Sequence, residues 1–291
     1  MVQCNTGHAW LAFEPISLLE ISDTLMFIEQ FFGYIGALII GLILGLIGGG
    51  GSILTVPVMV YIMGIAPVLA TAYSLFVVGA TSAVGALQNS KKGLLEWKTG
   101  IVFAIPALIS VYSTRKWIMP AIPDHIMTIG SFEISKSIAI MLLFAIIMII
   151  ASITMIRSNC LNCDDEEAVI TYNYPMILLE GTFVGLLTGL IGAGGGFLII
   201  PALVVFAHLP MKKAIATSLL IIAIKSLIGF VGDIENLEMD WTFLMSFTFL
   251  SIIGIFAGMY LSKYVKGTVL KKAFGWFVLI MGILIIIMEM R

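Results

Sequence analysis

The chain has 291 residues, of which 60% are hydrophobic and only 11% charged, with 15 Lys+Arg against 17 Asp+Glu. A mean hydropathy of +1.12 over that length excludes a soluble globule. The near-even charge offers no basic face for nucleic acid, and the short polar joints leave no room for a separate catalytic domain.

Residues 1–30 contain no Lys or Arg, unlike the positively charged opening of a secretory signal, so they read as a non-cleaved polar or interfacial leader. No Asp, Glu, Lys or Arg stands between Gln30 and Ser90. At about 20 residues per helical crossing, that run holds more than one membrane segment. Apolar stretches follow at 31–63, 67–87, 101–119, 134–156, 176–207, 214–231, 241–261 and 270–288. The longest joint carries the acidic run Asp164 to Glu167 and splits the chain into a first membrane repeat, 31–156, a connecting loop, 157–175, and a second membrane repeat, 176–291. Cys160 and Cys163 in that loop, with Cys4 alone in the leader, are too few for a disulfide framework. They read as a reduced pair. No cofactor motif is present, and His8, His125 and His208 lie too far apart to suggest a metal site.

The two halves repeat each other. A shift of 144 lays GLILGLIGGGGSILTVPV, starting at Gly41, over GLLTGLIGAGGGFLIIPA, starting at Gly185, with 10 of 18 positions identical. The same shift pairs Ser74 with Ser218, Ser82 with Ser226, Gly85 with Gly229 and Trp97 with Trp241. The first stretch of each half is too long for one plain crossing. It is interrupted by Gly48-Gly49-Gly50-Gly51 or Gly192-Ala193-Gly194-Gly195-Gly196, with Pro57 or Pro201 beyond. Unwound backbone at membrane depth is tolerated only where it is buried in protein or lines a cavity. Each stretch is therefore predicted to be a broken hairpin of two half-helices that starts and ends on one side. The fold class expected is an all-α polytopic membrane protein of two inverted repeats, each a Gly-broken hairpin plus three transmembrane helices. Charge fits this: hairpins put ten Lys/Arg inside and four outside, with Lys225 within a span and both termini outside.

A helix that restarts at a glycine break presents unpaired N–H groups and the positive end of its dipole, which suits an anion. Gly49, Gly50, Gly51, Ser52, Gly194, Gly195 and Gly196 are therefore candidates to touch an anionic substrate, the alternative being tight helix packing. That packing role fits Gly41-x-x-x-Gly45 and Gly185-x-x-x-Gly189 well. Ser74, Thr217 and Ser218, with Thr71, would donate to an oxyanion or else bond back to their own helices. Lys225 lies inside an apolar span, where an ammonium costs roughly 2.5 to 3.5 kcal/mol on insertion scales and needs a partner. That partner is either the substrate or a structural carboxylate, Glu180 or Asp233. Its counterpart in the first half is Thr81, so the cation is asymmetric. A nucleophilic Ser52 would lack a histidine in a neighbouring span, so no enzyme is expected.

The paired glycine blocks, together with Ala216-Thr217-Ser218-Leu219 and the closing Leu270-Lys-Lys-Ala-Phe-Gly-Trp-Phe-Val-Leu-Ile-Met-Gly, resemble the sulfite exporter TauE/SafE family, or toluene sulfonate uptake permeases. The likeness runs from about Phe31 to the end; the first half departs from it at Tyr73, where the second has Thr217. What the resemblance implies is a multi-pass plasma-membrane transporter of small sulfur-containing anions such as sulfite or organosulfonates, with import or export left open. Transport would be secondary, since no nucleotide-binding Gly-x-x-x-x-Gly-Lys-Ser/Thr loop occurs. An anion channel, or a transporter of a non-sulfur small organic anion, is the alternative. The partners expected are a small anionic substrate, the lipid bilayer and a homo-oligomeric copy, with no nucleic acid.

Overall fold

A computed structural model describes residues 14–49, 51–123, 125–129, 132–157, 174–191, 195–205, 209–265 and 267–289. Gly50, Gly194, the three cysteines and the acidic run of the connecting loop lie outside the described residues.

Helix α1, Glu14–Ile47, ends at Gly48, whose φ of 80° breaks the helical path. The chain restarts as α2, Gly51–Pro57, and runs on through a π-helical turn, Val58–Ile62. That second arm folds back on the first: Gly33 faces the Met63 side chain, Gly36 faces Val58, and Gly51 sits against the Ile40 carbonyl and Leu44. The first arm is longer than the sequence predicts, because the helix begins at Glu14, inside the supposed leader, and its apolar part, Gln30–Ile47, is long enough to cross a membrane by itself. In the second half α7, Tyr174–Ile191, and α8, Gly196–Val205, flank the equivalent break.

The remaining helices are α3, Pro67–Lys91; α4, Trp97–Ser113, continued by a π turn, Thr114–Ile118, and the short α5, Met119–Ala121; α6, Lys136–Arg157; α9, Met211–Ile234; α10, Trp241–Leu261; and α11, Gly267–Glu289. Local chemistry sets their ends. Pro67 opens α3 where its missing N–H is not needed, and Asp240 caps α10, its Oδ1 accepting from the N–H groups of Thr242 and Phe243 at 3.0 and 3.1 Å. Trp97 and Trp241, the first residues of α4 and α10, are both exposed, as interfacial anchors should be. One departure from an all-helical chain lies in the joint after α5: two short antiparallel strands, β1, His125–Ile129, and β2, Phe132–Ser135, pair Ile129 with Phe132. This joint is long enough to pair its own backbone, which a tighter loop is not.

Six helices among the described residues are long and apolar enough to cross a membrane, and α3 and α9 are the most enclosed of them, 67% and 72% buried against 39–44% for the others. They form the central pair, running antiparallel with Gly79 beside Leu227, and Leu75 near Gly229. Around them α1 packs on α10 and α7 on α4, while α6 packs on α11. The helix crossings rest on small residues: a methyl group at Gly41 would strike the Ser251 carbonyl, one at Gly258 the Leu42 carbonyl, and one at Gly185 the Ala107 carbonyl. Such backbone-to-backbone approach is how helices associate where lipid removes the hydrophobic driving force. The outward faces of α4 and α10 carry Ile101, Ile105, Ile109, Phe249, Ile253 and Phe256, an apolar belt at helical spacing.

Candidate functional site

The two glycine breaks meet at the centre of the molecule. A methyl group at Gly49 would run into the backbone of Gly196, and one at Gly196 would run into Gly49 Cα and stand 2.5 Å from Ile222 Cδ1. Only residues without side chains permit that approach. Gly48 and Gly49 spend their own N–H groups on Leu44 O and Ile47 O, at 2.8 and 3.0 Å. On the other side Gly195, with φ of 61°, gives its carbonyl to the N–H groups of Leu198 and Ile199 as α8 starts, leaving the first N–H groups of that helix, from Gly196 on, without intrahelical acceptors.

Lys225 arrives at this second break from α9. Its side chain is fully buried, and Nζ donates to Thr188 Oγ1 at 3.0 Å, among the described residues its one hydrogen-bond partner. Thr188 is oriented for this by donating its own proton to Val184 O, 2.5 Å away. A methyl group at Gly195 would collide with Thr188 Oγ1 and lie 2.6 Å from Lys225 Nζ, so ammonium, hydroxyl and glycine turn share one small space. The structural partners expected for Lys225 are not used: Asp233 pairs with Arg115, and Glu180 Oε1 is buried with no hydrogen-bond partner among the described residues. The cation at the protein's centre thus has a neutral neighbour and a helix N-terminus around it. Of these, the helix N-terminus also attracts an anion, whereas the Thr188 proton is already given to Val184 O.

The hydroxyl residues divide. Ser218 stands next to Gly48, its Oγ 3.0 Å from where a methyl group there would be, but its proton goes to Ile215 O at 2.8 Å. Ser52 likewise bonds back to Gly49 O at 2.6 Å, pinning the break. Thr217 accepts from the Glu96 N–H at 3.1 Å, tying α9 to the start of α4. Ser74 Oγ is buried without a partner among the described residues, as are the hydroxyls of Thr81, Ser82 and Ser226 on the same central pair. Gly51 packs on α1, and the structure does not describe Gly50 and Gly194.

Two features escape the sequence reading. Thr188 is one; the signal for it is the duplication itself, where the first block has Leu44 and the second introduces a hydroxyl, alongside the change from Thr81 to Lys225. The other is a buried ion pair toward the C-terminal end of α9. Arg115, fully enclosed in the π turn after α4, holds Asp233 Oδ2 at 3.2 Å and donates to Thr71 Oγ1 at 3.0 Å, while its Nε and Nη2 have no partner. Sequence counting treats Arg115 as a flanking charge together with Lys116, but Lys116 alone reaches outward, half-buried, to pair with Glu235 at 3.4 Å.

A family model described as Sulfite exporter TauE/SafE matches residues 34–285. A probable membrane transporter protein of Xylella fastidiosa (strain 9a5c) is 28% identical over 257 residues, covering 85% of this chain and 91% of that protein. The probable membrane transporter protein YunE of Bacillus subtilis (strain 168) is 26% identical over 227 residues, 72% of this chain and 80% of its own length. No solved structure matches the chain. The matched span takes in both glycine breaks and the central α3–α9 pair, and the chain belongs to the sulfite exporter TauE/SafE family of multi-pass membrane transporters.

Proposed function

We propose that the protein is a secondary transporter that carries small sulfur-containing anions, sulfite or an organosulfonate, across the plasma membrane. The substrate binds where the two glycine breaks meet, with Lys225, positioned by Thr188, as its counter-charge and the α8 N-terminus as a source of backbone N–H groups. The observation that carries this reading is the fully enclosed side chain of Lys225, whose Nζ faces a glycine turn and no carboxylate among the described residues. A buried charge is retained in a membrane protein when it has a counter-charge, and here a transported anion supplies one.

The conformational cycle follows from two inverted repeats. Support for them comes from the element bounds: α1 ends at Ile47 and α7 at Ile191, α3 starts at Pro67 and α9 at Met211, α4 at Trp97 and α10 at Trp241, the spacing of the duplication each time. Packing exchanges partners in the same way, α1 with α10 as α7 with α4. In such architectures one repeat rocks against the other about a fixed midplane site.

The test is a thermal-shift screen of the purified protein against sulfite, thiosulfate, sulfoacetate, taurine and sulfate. One or more sulfur oxyanions should raise the melting temperature of the native protein and leave Lys225→Met unmoved. Equal stabilisation of both proteins would remove Lys225 from the site.

A further inference from the structure

A cavity opens on the face formed by the C-terminal ends of α3 and α10 and the N-terminal end of α9. It encloses about 240 Å³, and Lys92, Lys212 and Lys263 line it together with Asn89 and Ser262. No Asp or Glu is among its lining residues. Charge around it is uneven. Lys213, next to Lys212, is neutralised by Glu96 at 3.0 Å, whereas among the described residues none of the three cavity lysines has a carboxylate partner; Lys263 instead lies 5.6 Å from the Tyr260 ring centroid. Three ammonium groups around one small hollow repel each other unless an anion sits between them. Consistent with that, burial and then the neighbouring Lys263 charge push the Lys92 ammonium below its ordinary range.

The floor of the cavity is Gly45, Leu46 and Ile215. Gly45 and Leu46 lead directly into the Gly48 turn, and Ile215 is both a wall of that turn and the residue whose carbonyl holds Ser218. The hollow and the central glycine breaks therefore share backbone. Lysines whose task is only to keep a loop on one side of a membrane have no reason to converge on a cavity with such a floor.

We propose that this lysine-lined cavity is a second anion site, which captures a free tetrahedral oxyanion from the aqueous phase before it passes to Gly48 and the central breaks. Its role as an entry vestibule rests on the central site proposed above; its binding of an oxyanion does not. The chemistry is that of an –SO₃⁻ or –PO₃²⁻ group, which a lipid headgroup also carries. The continuity of the floor with the Gly48 turn favours the soluble anion.

The full chain in nanodiscs of zwitterionic lipid is acetylated with a limiting amine-reactive reagent, and each lysine is followed by mass spectrometry with sodium sulfate or with sodium chloride at equal ionic strength. Acetylation needs the neutral amine, and an anion held within a few ångströms raises a lysine pKa by about one unit or more, so Lys92, Lys212 and Lys263 should react about tenfold more slowly in sulfate. Lys91, exposed like the three cavity lysines but not among the residues that line the cavity, is the internal control and should not change. The same protection in Lys225→Met separates this site from the central one, whose own failure would be read from unchanged transport in that variant. Protection of the three lysines no greater than that of Lys91 overturns the proposal. So does protection that anionic lipid confers alone and sulfate does not alter, which would assign the cavity to a headgroup.

Discussion

Lys225 and Arg115 are both fully buried cations, yet their surroundings give them different roles. Arg115 faces Asp233 and Thr71, a structural pair, whereas Lys225 faces Thr188 and a glycine turn. Removing the Lys225 charge should therefore cost binding and not folding. Lys225→Met is expected to keep or raise the melting temperature while weakening anion binding by about 2 kcal/mol, a roughly 30-fold rise in Kd; both are measurable on one sample. Asp233→Asn should do the reverse, leaving Arg115 uncompensated and lowering unfolding stability by about 3 to 5 kcal/mol. Pairing it with Arg115→Met should restore most of the loss in melting temperature. Lys225 was legible in the sequence because a charge in an apolar span stands out against its neighbours. The Arg115–Asp233 pairing was not: the sequence offers Asp233 as a structural carboxylate for Lys225, and only the three-dimensional path of α4 and α9 turns it toward Arg115 instead.

At the level of elements, the glycine residues separate into those that touch backbone and those that touch a flexible side chain. A methyl group at Gly49 meets the Gly196 backbone, which cannot yield without moving α8, but at Gly33 it meets only the Met63 side chain, whose thioether can swing away. Gly49→Ala is accordingly expected to abolish transport and Gly33→Ala to retain it, in a transport assay on protein whose folding is verified by size-exclusion profile. Gly258→Leu should separate α10 from α1 at Leu42 and Gly45, lowering the melting temperature without any contact to the centre. The breaks themselves were legible because consecutive glycines in an apolar stretch interrupt a helix, whereas plain helix packing asks for one per turn. The sequence also groups the two breaks into one candidate site, but does not reveal the direct backbone contact of Gly49 with Gly196, since neither has a side chain to betray a partner. The length of α1 also escaped, since polar residues near the N-terminus hide a helix that runs straight into the first span.

For the whole molecule, the periodic duplication made the succession of helices readable, and nearly every element falls where an apolar stretch was expected. What periodicity could not supply is which helix stands at the centre; that follows from the enclosure of α3 and α9 and their buried hydroxyls. The inverted arrangement proposed above makes a topological prediction: with the turn after α3 facing the cytoplasm, a cysteine at Ser90, in a background lacking Cys4, Cys160 and Cys163, should resist an impermeant thiol reagent in intact cells. Labelling there would favour plain crossings over hairpins. The account as a whole rests on carriage of an anion by the centre that Lys225 and the two breaks form, and counterflow tests it most directly. Proteoliposomes loaded with the sulfur anion that gives the largest thermal shift should take up the labelled anion from outside with saturable kinetics, and Lys225→Met, equally reconstituted, should lose that uptake. Flux that rises linearly with concentration, or uptake by Lys225→Met equal to that of the native protein, would contradict it.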